Sequence, residues 1–445
     1  MAGVAARASA ALEATALAVL PVVIFAAGAS IGPAPASLPV RFGAPLLLAA
    51  MLAPALAALI LRVTVPDIDL TLIALCGALT AIGAVIQIQI ANLPGGTSAF
   101  FETVATRHLA FVAASFVALL AGVVASGFIA HARRYPYVIA MAALALIAST
   151  MAIGTEVNGA RLWIELGPLR LQPAEISRVL FATFVAVFLY DRRHVIAASW
   201  RVAGLELPPV PYLAPVAGAL CLALAALAVQ NDLGMAAVTA IGAYAIVASS
   251  LRSRWSVLTV GGAVALVAVF GASASPRVQG RVANWLNPWL NPLGTGYQFI
   301  QSEYALATGG IAGARLPPDV RNVPEIQTDF VLAAAGSRFG LLVSLAILAL
   351  LALLALRCAA NSLAAATELE TLVGLALTVL LSVQILLISG GVLRVVPLTG
   401  LTAPFISYGG TSLIVSGFTV GIIAGVGARR SGRRSRLGTA GIARG

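Results

Sequence analysis

Asp329 stands where a polar, Gly/Pro-rich stretch, residues 275–328, gives way to an apolar run that starts at Phe330, with Glu325, Gln327 and Thr328 just before it. An ionisable group so close to hydrocarbon needs partners or a water-filled cavity to stay solvated, so a carboxylate there is an expensive choice that points to chemistry. That carboxylate is the first place in the chain to look for chemistry.

Three further places carry polar side chains between apolar runs. Residues 154–178 include Glu156, Arg161, Trp163, Glu165, Arg170, Gln172, Glu175 and Arg178. Arginine offers a planar fork that matches phosphate oxygens, and Trp sits well at an interface, so Arg161 and Trp163 suit a lipid that carries a pyrophosphate. The plainer reading is that the three glutamates pair with the three arginines and staple the segment. Pro173 fits the first turn of a helix, and three-residue spacing then places Glu175 and Arg178 on one face. On that face Arg178 either neutralises Asp329 or clamps an anionic substrate. In Gln230–Gly234, Asp232 is either the N-cap of the next helix or a carboxylate exposed by a broken hairpin. Residues 390–412 include Arg394, Pro397, Thr399, Gly400, Ser407, Tyr408, Gly409 and Gly410. They hold too much Pro and Gly for a continuous helix and are too apolar to leave the membrane, so they read as a re-entrant, cavity-lining element.

The elements that position these residues are membrane helices. Sixty per cent of the residues are hydrophobic and 10% charged, against roughly a quarter charged in soluble domains. Apolar runs long enough to span fall near 12–32, 42–62, 69–90, 106–129, 136–153, 174–190, 212–229, 233–250, 256–274, 329–356, 369–390 and 408–427. The expected fold is thus an all-α polytopic membrane protein. The 27 basic residues are all arginine and give a net charge of +11. Arg62, Arg133, Arg134, Arg192, Arg193, Arg201, Arg252, Arg254, Arg357 and the tail residues Arg429, Arg430, Arg433, Arg434 and Arg436 fall on one side if the N-terminus is cytoplasmic, which places 275–328 outside. The charge is therefore a topology signal with attraction to lipid headgroups, and nucleic-acid binding is excluded. Cys76, Cys221 and Cys358 lie in or beside spans without C-x-x-C spacing and read as small hydrophobes. His108, His131 and His194 are not placed for a Ser-His-Asp or His-metal scheme. The run Ala34-Pro35-Ala36-Ser37 after the first span could serve as a signal-peptide cleavage site. The loop 191–211 reads as a cytoplasmic connector, and the Arg-rich residues 429–445 as a disordered tail.

The string Pro397-Leu-Thr-Gly400-Leu-Thr-Ala-Pro404-Phe-Ile-Ser407-Tyr408-Gly409-Gly410-Thr-Ser412 resembles the signature of the SEDS family, which includes the RodA and FtsW proteins of bacterial elongation and division. Asn158-Gly-Ala-Arg161-Leu-Trp163, Gln172-Pro-Ala-Glu175, Gln230-Asn231-Asp232-Leu-Gly234, Asn287-Pro-Trp289 and Thr328-Asp329-Phe330 are similar to further family motifs, in the family's order, over residues 69–428. The resemblance implies a ten-helix core (67–428) behind an N-terminal extension of about two spans (1–66), as in some actinobacterial members. It implies a glycosyltransferase that polymerises lipid II at the outer face of the cytoplasmic membrane beside a class B penicillin-binding protein. Asp329 then matches the family's essential carboxylate, the candidate base. Candidates for substrate binding are Arg161, Trp163, Glu175, Arg178, Asp232, Arg394, Pro397, Thr399, Gly400, Ser407, Tyr408, Gly409 and Gly410. Arg161 is favoured for the pyrophosphate, and no cofactor is called for beyond an optional divalent cation. Gln327 replaces a usual His, Asn231 a Pro, Asn291 an acid, Arg178 a Lys, and Ser337-Arg338 a Glu-Glu pair. The alternatives are a flippase for lipid-linked substrates, or a scaffold with weakened catalysis.

Overall fold

The computed structural model describes residues 19–24, 43–93, 98–157, 159–167, 169–196, 200–202, 205–207, 210–251, 253–314 and 319–442. Ten helices among the described residues are long and apolar enough to cross a membrane. They are α1 (Ala44–Thr64), α2 (Leu70–Ala91), α3 (Ala99–Ala125, which a short helix prolongs to Ala132), α4 (Pro136–Ile153), α5 (Pro173–Ile196), α6 (Val210–Val229), α7 (Leu233–Ser250), α11 (Val331–Leu363), α12 (Glu368–Val392) and α13 (Gly410–Ile442, crossing over Gly410–Arg429). The ninth expected span, 256–274, is α8 (Arg254–Ala274), whose described apolar stretch is Arg254–Leu266. The expected first span lies outside the described residues apart from helical 19–24, and so do Ala34–Ser37 and Asn158.

Between the spans the chain is more ordered than its composition suggests. Residues 155–171 form an antiparallel sheet, β1 (Thr155–Val157), β2 (Ala160–Leu166) and β3 (Leu169–Leu171), in the order β1-β2-β3. The register sets Glu156 opposite Arg161 and Glu165 opposite Arg170, so the pairs that staple the segment are cross-strand pairs. The connector after α5 holds a second hairpin, β4 (Trp200–Val202) with β5 (Leu205–Leu207). The long stretch 275–328, expected as loop, contains α9 (Pro276–Leu286), α10 (Tyr297–Gly309) and 3₁₀ turns at Pro288–Leu290 and Val320–Asn322. Its helix starts have local causes: Ser275 caps the Val278 amide and Pro276 stands at the first helical position. Helix α13 continues as far as Ile442, into the stretch expected as a disordered tail, consistent with arginine's good helix propensity and the lack of proline after Pro404.

The chain divides into two compact units, each assembled from separated stretches. The first comprises residues 1–126, 298–366 and 402–445. Its centre is α2, with 89% of its apolar window buried, and α13 with 83%. Helices α3 and α13 run with their backbones in contact, since a Cβ on Gly417 or Gly421 would strike the Ser115 or Leu119 carbonyl. Small residues permit that approach where lipid gives helices no hydrophobic reason to associate. At one end Asp69 caps α2 and receives Arg357 Nε at 2.8 Å and Asn361 Nδ2 at 2.6 Å from α11.

The second unit comprises residues 127–297 and 367–401. Here α5 is central, 78% buried over its apolar window, with α4, α7 and α12 packed around it, while α6 is peripheral at 17%. Arg133–Asp191 at 2.6 Å and Arg193–Glu368 at 3.1 Å tie its helix ends.

Candidate active site

In the first unit the neighbourhood of Asp329 is built on one carbonyl. Glu325 adopts φ +55°, and its carbonyl accepts the amides of Thr328, Asp329 and Phe330 at 3.1, 3.0 and 3.3 Å. This turn presents Asp329, half-buried, one residue ahead of the cap of α11. The two preceding carbonyls are also held. Gln327 O accepts Gln87 Nε2 and the Tyr408 amide, both at 2.9 Å, and Thr328 O accepts Ser407 Oγ at 2.6 Å. Ser407 Oγ in turn accepts the Ala403 amide at 2.9 Å. Asp329, Ser407, Tyr408 and the Gly409-Gly410 start of α13 thus lie in one hydrogen-bonded framework. A Cβ on Gly83 would stand 2.6 Å from the Ile406 carbonyl, so α2 touches the 403–409 turn with bare backbone.

The divergent Ser337 and Arg338 lie just ahead of a break in α11 at Gly340 (φ 81°, ψ −176°). Residues 310–314 occupy the break: Ala314 N donates to Ser337 O, while Gly310 O and Ile311 O accept the Leu341 and Leu342 amides. Ser337 is fully buried and its Oγ has no partner, beside a small cavity lined by Gln89, Val320 and Arg338 among others.

In the second unit Glu175 and Arg178 form a pair at 2.5 Å, both almost sealed from solvent, and Arg178 Nη1 donates to Gln384 Oε1 at 2.7 Å. Pro173 opens α5, so the one-face geometry expected from spacing is what the helix supplies. Asp232 does cap α7, accepting Met235 N at 3.0 Å, and its other oxygen accepts Gln172 Nε2 at 3.2 Å. Burial raises its carboxyl above the ordinary value, with the Met235 amide opposing, Glu175 adding, and Gln172 and Arg281 opposing. Asn231 enters this turn at φ +60° and donates to Gly159 O of the β1–β2 turn.

Residues 393–401 leave helix α12 and are pinned by α9. Arg394, at φ +55°, donates to Trp285 O at 2.8 Å while Trp285 Nε1 donates to Arg394 O at 2.9 Å. Arg281 Nη1 donates to Thr399 O at 2.8 Å, and Gly234 brings α7 against the same carbonyl. Thr399 Oγ1 is buried without a partner, Gly400 takes φ +73°, and Pro397 lies between the two anchors. By contrast Arg161 is 57% exposed on β2 and bound to Glu156 at 3.4 Å, with Trp163 half-buried two residues on. Arg170 pairs with Glu165 in the same way, so the stapling reading describes both exposed pairs.

All four non-glycine residues with positive φ among the described residues, Asn231, Glu325, Arg394 and Phe405, fall in these turns. Such backbones cost on the order of 1–3 kcal/mol each and persist where the surroundings over-determine them. Sequence reasoning missed Gln87 and Gln384, both buried in apolar spans, and Arg281 and Trp285 on α9. A lone amide inside an apolar run was the available signal for the first two. Among the described residues no group of three or more His, Cys, Asp and Glu gathers as a metal site.

A family model described as cell cycle protein, taking in FtsW, RodA and SpoVE, matches residues 69–432. Peptidoglycan glycosyltransferase RodA of Mycobacterium tuberculosis is 35% identical over 309 residues, which are 67% of this chain and 65% of that protein. Probable peptidoglycan glycosyltransferase FtsW of Tolumonas auensis is 31% identical over 366 residues, 80% of this chain and 91% of that protein. A solved structure described for the coordination of polymerization and crosslinking by a peptidoglycan synthase complex aligns at TM-score 0.63 and 26% identity, over 82% of this chain and 98% of the matched one. With the motifs in family order on a multi-pass helical fold, the chain belongs to the FtsW/RodA/SpoVE family, also called SEDS.

Proposed function

We propose that this protein is a glycosyltransferase that polymerises lipid II at the outer face of the cytoplasmic membrane. The observation that carries the reading is Asp329, a half-buried carboxylate at the mouth of α11 whose flanking carbonyls are held by Gln87, Ser407 and Tyr408. Fixed surroundings keep a base in register with its proton, which is where positioned acid–base groups gain their effect. In the reaction the 4-hydroxyl oxygen of one disaccharide bonds to the anomeric carbon of another. The anomeric carbon–oxygen bond to the lipid pyrophosphate breaks, and Asp329 takes the hydroxyl proton.

The departing pyrophosphate needs cationic donors. Arg161 has an exposed guanidinium on β2, whereas Arg178 is engaged with Glu175 and Gln384 and serves to hold α5 to α12. Arg394 shapes the 393–401 segment through Trp285. The outward assignment rests on the arginine pattern of the opposite loops. A single-pass class B penicillin-binding protein is the proposed partner, in keeping with the coupled polymerization and crosslinking described for the matched synthase complex.

The test is reconstitution of the purified protein with lipid II, with and without that partner. Glycan strands are expected. Movement of lipid without polymer would identify a flippase, and neither activity with the partner still bound would identify a scaffold, a reading that the Ser337-Arg338 pair favours.

A further inference from the structure

Helix α9 poses a physical question that its own unit does not answer. It is an 11-residue amphipathic helix with no buried residue. Isolated helices of that length are marginal in water. One face has an explanation, because Arg281 and Trp285 reach the 394–399 backbone. The C-terminal end of α9 and the turn that follows carry four exposed apolar side chains: Leu286 at 67%, Trp289 at 54%, Leu290 at 78% and Leu293 at 91% exposure.

That cluster is a preformed knuckle. Asn287 caps a 3₁₀ turn by accepting the Trp289 amide at 3.1 Å, and Asn291 O then accepts the Gly294 and Gly296 amides at 3.2 and 3.1 Å. Thr295 Oγ1 donates to Asn284 Oδ1 at 3.1 Å and closes the base. Water is a poor environment for four such side chains within the eight residues 286–293.

Two observations identify what covers them. Ser275 follows α8, the helix that occupies the apolar run 256–274 expected to span, so α9 and the knuckle start where that run leaves the membrane. Residues 275–297 contain Arg277 and Arg281 and no carboxylate, a charge that complements anionic headgroups. An amphipathic helix with arginine and exposed Leu and Trp is the composition that lies in the headgroup–acyl boundary.

We propose that the 286–293 knuckle is a membrane anchor, with Leu286, Trp289, Leu290 and Leu293 seated in the headgroup–acyl boundary of an anionic phospholipid leaflet. The anchor fixes α9, and through Arg281 and Trp285 it fixes the 394–399 segment at the membrane surface.

The experiment uses the full chain with Cys221→Ser, leaving Cys76 and Cys358 buried, and carries Leu290→Cys or Leu293→Cys labelled with an environment-sensitive dye. Vesicles of phosphatidylglycerol and phosphatidylcholine contain lipids with a nitroxide near the top of the acyl chain. The expected result is quenching several-fold stronger by the lipid nitroxide than by aqueous iodide, with blue-shifted emission. Quenching by iodide alone would overturn the anchor, because the knuckle would face water. Protection from both quenchers, whether in the chain alone or only after a transpeptidase partner is added, would overturn it in favour of a protein interface. Thermal unfolding of the labelled variants matching the parent shows that the readings come from the folded protein.

Discussion

Glu175 and Arg178 face one another at 2.5 Å within the first two turns of α5, and neither side chain is reached by solvent. Gln384, one of the few polar groups inside α12, receives the arginine's other arm. Removing one partner leaves the other charge buried and uncompensated, which costs about 3–5 kcal/mol, whereas replacing both by packed neutral groups is close to neutral. Glu175→Gln should therefore unfold at markedly lower temperature, and Glu175→Gln combined with Arg178→Met should recover most of the loss. Thermal unfolding in detergent decides this, and equal destabilisation by the single and double variants would contradict it.

Asp232 gives a pH dependence with a defined sign. Burial raises its carboxyl above 3.8, so the stability it lends is fully present below pH 3.8 and is lost as pH climbs through the raised folded value. Above that raised value the ionised group works against the fold. Asp232→Asn keeps a capping oxygen for Met235, so it should be the more stable protein above that value, with the gap closing on acidification. A gap of constant size across that window would show that titration of Asp232 is not its source.

Ser407 serves two backbone groups at once, donating to Thr328 O and accepting from Ala403 N. Each buried polar group left without a partner costs about 1–3 kcal/mol. Ser407→Ala should lower the melting temperature and reduce kcat more than it raises KM, because it loosens the turn that carries Asp329 without touching a binding arginine. Unchanged kinetics in the purified variant would separate the 403–409 turn from catalysis.

Gly83 tests the same turn from the other side. A Cβ there meets the Ile406 carbonyl at 2.6 Å, which is backbone and cannot swing away. Overpacking of this kind costs roughly 1–3 kcal/mol. Gly83→Val should insert into membranes, melt earlier and polymerise poorly, and an active, fully stable Gly83→Val would mean that α2 does not hold the turn.

The spans were legible because twenty apolar residues in succession leave little choice of structure, and α5 was legible in detail because Pro173, Glu175 and Arg178 obey helical spacing. Asp329 and Ser407 were singled out by residue type and motif, but not the carbonyl of Glu325 that gathers the turn, since backbone convergence leaves no mark on side-chain pattern. The sheet at 155–171 was hidden for a different reason: its strands are short, and Glu156 opposite Arg161 reads equally well as a pair within a loop. Helix α9 was obscured by the Gly and Pro around it, although Ser275-Pro276 announced its start. The break at Gly340 was invisible because an apolar run continues through it and the bonds that fill it come from residues 310–314.

Proton acceptance by Asp329 is tested by the rate of glycan synthesis from pure lipid II by Asp329→Asn, measured beside its thermal unfolding. A positioned base is worth about 10²–10⁴-fold, so the variant should lose at least the lower figure while melting as the parent does. Glycan strands formed at the parental rate would contradict the assignment, and loss of activity together with a lowered melting temperature would show Asp329 to be a structural charge instead.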